Sequence, residues 1–189
     1  MQRSLALRVP DSHIRPDPFR RKVNQPMERN MTDTIDTGLS QTERGDVAQQ
    51  LTRVLADAYA VYLKTHGYHW NVRGPEFFAL HNLLEQQYRD QWEALDDIAE
   101  RIRALGEFAP QGYGTFANLT SIRDGDPEKD APEMLRELMR DHETLIATMR
   151  AALDVADGDG DDVTVDLLTQ RLGSHEKFAW MLRSTLGGR

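Results

Sequence analysis

The chain has 189 residues, a net charge of −8 and no cysteine. That length suits one well-buried domain. Without cysteine, disulfides, thiolate zinc sites and iron–sulfur clusters are excluded, so any metal must be held by His, Asp and Glu, a donor set suited to iron, zinc or manganese.

Residues 1–45 show no apolar periodicity, and prolines recur at positions 10, 16, 18 and 26; this composition predicts a disordered extension. Its first thirty residues carry seven basic side chains against three acidic ones, a balance of +4 that leaves −12 for the rest of the chain. Met31 offers an alternative start of translation, which would remove that basic segment. No apolar stretch follows Arg20-Arg21-Lys22, so the cluster does not read as an export signal. No run approaches the roughly 18 consecutive apolar residues of a membrane span, and the expected location is the cytoplasm.

From 46 to 189 the pattern is helical. Val47, Leu51, Val54, Leu55, Ala58, Tyr62 and Thr65 recur at helical spacing and predict a first helix from about Asp46 to Arg73. Gly74-Pro75 ends it and opens a second, Pro75 to Leu105, that stops at Gly106. The looser stretch 107–129 has room for one short helix around Thr115–Ile122. Asp130-x-x-Glu133 has the form of a capping box and opens a third long helix to about Ala156. Asp162 is a candidate cap for the fourth, which runs to Leu186. Four long antiparallel helices with apolar stripes predict an all-α four-helix bundle, with a short extra helix in the second-to-third connection.

The chemistry concentrates on His69, His81, Glu85, Asp96 and Glu100. Each of them alone reads as a solvated or core side chain; together they form a pattern. His81 and Glu85 are four apart, as are Asp96 and Glu100, so each pair can converge from one helical face. At about 100° per residue, with His81 at zero, Glu85 falls near 40°, Asp96 near 60° and Glu100 near 100°. The midpoints of the pairs are fifteen residues apart, about 22 Å along the axis. One chain cannot bring both to one ion. Either there are two poor half-sites, or a second copy of the helix lies antiparallel across a two-fold axis near Asp90–Gln91, so that each pair meets the other pair of its mate. His69 can then complete each site.

The run His69-Trp70-Asn71-Val72-Arg73-Gly74-Pro75-Glu76-Phe77-Phe78-Ala79-Leu80-His81, with Asp96-Asp97-Ile98-Ala99-Glu100-Arg101 and His175-Glu176-Lys177-Phe178-Ala179-Trp180, closely resembles the Dps family of mini-ferritins. The resemblance covers about residues 46–186. It implies a ferritin-like bundle, a hollow dodecamer built from two-fold dimers, and oxidation of ferrous iron with hydrogen peroxide or oxygen, with protection of DNA from oxidative damage. It assigns the iron ligands to His69, His81, Glu85, Asp96 and Glu100. Glu85 departs from the family's usual Asp. A maxi-ferritin would need Glu-x-x-His motifs on two helices, and no Glu here has a His three residues later.

Asp157-Gly-Asp-Gly-Asp-Asp162 has Asp162 at the sixth position, where a calcium loop requires Gly, and Leu168 at the twelfth, where it requires Glu, and reads as a helix–helix turn. By the resemblance, Asp154, Asp157, Asp159, Asp161 and Asp162 can also attract ferrous iron toward a three-fold pore. Trp70 and Trp92 are candidates to intercept radicals, although Trp92 reads more simply as a core aromatic. His66 and Lys64 are candidates to orient neighbours, and His142 and His175 read as structural or surface residues. A second function class is DNA binding at the nucleoid through the basic tail, which a start at Met31 would abolish. A third is a metal-free scaffold, which a ferrous titration separates from the first.

Overall fold

The computed structural model describes residues 35–188, and the structure of the extension up to residue 34, including the alternative start at Met31, lies outside them. Five helices follow in order: α1 Gln41–Asn71, α2 Phe77–Ala104, α3 Tyr113–Leu119, α4 Ala131–Gly158 and α5 Asp162–Thr185. No strand occurs among the described residues. The long helices α1, α2, α4 and α5 form the bundle, and α3 sits in the long connection between α2 and α4.

The helix ends follow from local chemistry. The first helix begins at Gln41, not near Asp46, because Ser40 and Glu43 form a capping box: the Ser40 hydroxyl accepts from Glu43 N–H while the Glu43 carboxylate accepts from Ser40 N–H. The same reciprocal arrangement links Asp130 and Glu133 at the start of α4, as the sequence predicted. At the start of α5 the cap is Asp161 and not Asp162; its carboxylate accepts from the Thr164 N–H at 3.0 Å and the Thr164 hydroxyl at 2.6 Å. Gly106 ends α2 at φ +100°, a backbone conformation that residues with a Cβ rarely adopt.

Contacts across the bundle fix the direction of two helix pairs. Asp57 meets Thr148 and Lys64 meets Asp141, so α1 runs antiparallel to α4. Arg101 pairs with Asp161 at 2.6 Å and Asp90 with Arg171 at 2.5 Å, which sets α2 antiparallel to α5. The core between them is aliphatic, with Leu51, Leu84, Ile98, Leu138, Leu145 and Leu168 fully buried. Truncating one such Leu to Ala costs about 2–5 kcal/mol.

Asp57, 2% exposed, ties the connection to the bundle. Its carboxylate accepts from Thr120 Oγ1, the Ser121 N–H and hydroxyl, and Thr148 Oγ1, all between 2.7 and 3.0 Å. A buried carboxylate persists only when its lone pairs are used in this way. Lys64 has a similar role: buried, and paired with Asp141 of α4 at 2.7 Å, it belongs to the bundle and orients nothing at the candidate ligands.

Candidate metal centre

The turn between α1 and α2 builds the first half of the site. The last carbonyls of a helix have no intrahelical partner. At the end of α1, Val72 N–H satisfies Tyr68 and the His81 ring satisfies His69: His81 Nδ1 lies 2.9 Å from the His69 carbonyl oxygen. The bond is returned, with His69 Nδ1 2.9 Å from the His81 carbonyl oxygen. Gly74, at φ +124°, gives the turn the tight path that brings the helices together.

This reciprocal clasp decides what the rings can do. A carbonyl only accepts, so each Nδ1 carries the hydrogen and each Nε2 keeps a lone pair. Metal-binding imidazoles are commonly oriented in this way by a carbonyl on the other nitrogen. The rings stack at 3.7 Å between centroids, with planes 20° apart. His69 is buried and His81 half-buried. Phe77 lies 5.0 Å from His81, and Tyr88 presents its edge to His69 at 5.1 Å. His66 stacks on Tyr88 at 4.1 Å and meets the Tyr62 hydroxyl at 3.3 Å through Nδ1, so it supports the wall behind His69. Burial, followed by the neighbouring His69, lowers its pKa.

Glu85 lies one turn beyond His81. The sequence reading missed its partner, Arg89, which donates to Glu85 Oε1 from Nε at 2.9 Å and Nη2 at 2.6 Å. Both bonds use the same oxygen. Among the described residues Oε2 has no hydrogen-bond partner, and it is the oxygen open to a cation. The Arg89 hydrogen bond, and then the charges of Arg89, His69 and His81, hold this carboxyl below the ordinary range.

Asp96 and Glu100 are exposed on the same helix. Neither side chain makes a hydrogen bond or ion pair among the described residues. Because α2 is unbroken from Phe77 to Ala104, the separation between the two pairs remains about 22 Å. The structure therefore brings His69 and His81 together with Glu85 nearby, and does not bring Asp96 or Glu100 to them. Among the described residues of one chain, no group of three or more ligating side chains is placed to hold a metal ion.

Between the pairs, the outward face of α2 carries Arg89 and Trp92. Trp92 is 59% exposed, so it is not a core aromatic. Trp70 is 66% exposed with its ring 4.3 Å from His66. Gln91, by contrast, is buried in the bundle. The acidic turn also divides: Asp161 is buried and committed to Arg101 and Thr164, while Asp154, Asp157 and Asp162 are exposed. His142 and His175 are fully interior, with their Nδ1 atoms 2.9 Å apart, which rules out a surface role.

Comparison with known proteins identifies the fold and the family. The model of the ferritin-like domain matches residues 48–188, so the class is that of the ferritin-like helical bundles. An uncharacterised low temperature-induced protein of Nostoc is 39% identical over 160 residues, which make up 82% of this chain and 87% of the relative. The DNA protection during starvation protein 2 of Bacillus anthracis is 33% identical, over 74% of this chain and 96% of its own. The crystal structure of the Vibrio cholerae Dps protein, described as one of the ferritin-like diiron-carboxylate proteins, superposes with a TM-score of 0.76 at 29% identity, covering 86% of this chain and 99% of that one. The chain belongs to the Dps family of protective, iron-binding mini-ferritins.

Proposed function

We propose that this protein is a ferroxidase whose dinuclear sites are shared between two subunits, each built from His69, His81 and Glu85 of one chain and Asp96 and Glu100 of its mate. The supporting observation is the divided donor set: two imidazoles at one end of α2 whose Nε2 atoms have no partner among the described residues, and two carboxylates, likewise without a partner among them, on the same exposed face about 22 Å away. A two-fold axis crossing at the level of Arg89–Trp92 makes the halves meet twice.

Ferrous iron is the substrate. Neutral imidazole suits the ferrous ion, and carboxylates favour the ferric product. With hydrogen peroxide as oxidant, two ferrous ions each give one electron, the O–O bond breaks, and two hydroxide equivalents form. Both electrons go to peroxide in one event, so no free hydroxyl radical is released. Ferric product moves into a hollow dodecamer and is stored there as mineral. DNA is protected by the removal of iron and peroxide together, in the cytoplasm or at the nucleoid. Exposed Asp154, Asp157 and Asp162 add negative potential that draws cations toward the shell.

Glu85 shares the site with Arg89, so iron binding either uses Oε2 alone or displaces the guanidinium. Anaerobic addition of ferrous iron followed by peroxide, read by absorbance, tests the assignment in the wild type and in His81→Ala/Asp96→Ala. Rapid oxidation in the first and its loss in the second are expected. Equal rates in both would remove these residues from the reaction.

A further inference from the structure

A different set of polar groups lies inside the bundle, on the side of α2 turned away from the candidate ligands. Gln87 is 1% exposed and Gln91 3%. All four amide atoms of these two side chains are buried without a hydrogen-bond partner among the described residues, as are His142 Nε2 and Arg171 Nε. A buried polar atom left unpaired costs about 1–3 kcal/mol, and native interiors rarely tolerate several.

The register gathers them into one layer. Asp90 of α2 pairs with Arg171 of α5 at 2.5 Å, and the two helices are antiparallel. Gln91 therefore stands at the level of Arg171. Gln87, one turn earlier, stands at the level of His175, one turn later. His175 meets His142 of α4 across 2.9 Å between their Nδ1 atoms. The six atoms thus come from α2, α4 and α5 within about one helical turn of each other along the bundle.

Their chemistry selects the ligand. Amide Nε2 and Arg171 Nε donate, the amide oxygens accept, and His142 Nε2 does one or the other according to its tautomer. An anion would face the amide oxygens. A divalent cation would lie beside the Arg171 guanidinium, with Asp90 already committed to that guanidinium. A small neutral molecule that both donates and accepts satisfies the whole set. We propose that this layer is a binding site for an ordered cluster of water, held within each bundle by Gln87, Gln91, His142 and Arg171. Buried water of this kind makes about three hydrogen bonds to groups that otherwise lack partners.

The test is atomic-resolution diffraction from the full-length assembled protein, with anomalous data at the iron and zinc edges from the same crystals. The expected result is at least two non-anomalous peaks at about 2.7–3.2 Å from the amide atoms of Gln87 and Gln91, from His142 Nε2 or from Arg171 Nε. Direct pairing of the two amides with each other or with the imidazoles, and no peak between them, would overturn the proposal. So would an anomalous peak on His142 and His175, which would make the layer a metal site.

Discussion

Two imidazole pairs, of identical chemistry, occupy opposite environments in this molecule. His69 and His81 sit where α1 turns into α2, and each spends its Nδ1 hydrogen on the other's backbone carbonyl. His142 and His175 sit between α4 and α5, and spend Nδ1 on each other. The outer pair keeps two Nε2 lone pairs beside a carboxylate and an exposed helix face. The inner pair is sealed from solvent, with Arg171 as the nearby charge. What separates a candidate ligand from a structural histidine is thus the direction of the second nitrogen and the presence of carboxylates, not the imidazole itself.

Removing a ligand should separate the pairs most strongly. His81→Ala or Asp96→Asn should lower peroxide-driven iron oxidation by about 100-fold or more, given that even outer-shell partners of metal ligands are worth about 10–100-fold. Stopped-flow absorbance reads this; Asp96→Asn should change thermal stability little, whereas His81→Ala also gives up the bond to the His69 carbonyl and should cost about 0.5–1.5 kcal/mol. If the rate survived either change, the outer pair would lose its special standing.

The inner pair predicts the reverse. His142→Leu leaves the His175 Nδ1 without its partner and should cost about 1–3 kcal/mol, seen in denaturant unfolding, with the oxidation rate unchanged. A loss of rate at full stability would mean that the interior takes part in the chemistry.

Acid should act through the same residues. Burial, reinforced by Arg171, pushes the pKa of His142 down to about 3, and burial drives His175 well below its usual value. In the unfolded chain these groups titrate near 6.5, so below that pH the unfolded state binds more protons and the folded state loses stability. The loss should grow by about 1.4 kcal/mol per pH unit for each proton taken up on unfolding. Unfolding midpoints from pH 7 down to 4.5 should show this slope, and His142→Leu should flatten it. An unchanged slope in the variant would assign acid sensitivity elsewhere.

The smallest effect is expected at Arg89. Arg89→Gln frees Glu85 and removes a cation from the outer site, which should tighten ferrous binding by up to about five-fold, the scale of one exposed ion pair. Calorimetric titration under nitrogen measures it. Weaker binding would show that Arg89 helps to hold the site.

The bundle, and the shared face that carries the candidate ligands, were largely legible because helical geometry is rigid. A fixed rise and turn per residue place His81, Glu85, Asp96 and Glu100 on one arc whatever the tertiary structure does. The same arithmetic carried signals that went unused. Counted from His81, Trp92 falls near 20° and Arg89 near 80°, both within the candidate ligand arc, which marks both as outward residues; Glu85 and Arg89 are also spaced for an ion pair. Gln87 and Gln91 fall on the opposite side, where a polar residue signals a layered interior. The early start of α1 was missed because Ser40 lies before any apolar periodicity, although Ser40-x-x-Glu43 is itself a capping signal. The reciprocal histidine–carbonyl bonds had no sequence signature. They depend on the backbone path through Gly74, which only three-dimensional structure reveals.

The shared site can be tested by mixing broken subunits. His81→Ala and Asp96→Ala chains are each predicted to be inactive alone, yet a mixed dimer would reunite the intact His81 of one with the intact Asp96 of the other. After co-assembly in equal amounts, with hybrids verified by mass, oxidation should return to about a quarter of the wild-type rate, since half the dimers are mixed and each holds one whole site of two. Verified hybrids that stayed inert, or single variants that were active by themselves, would contradict a site divided between subunits.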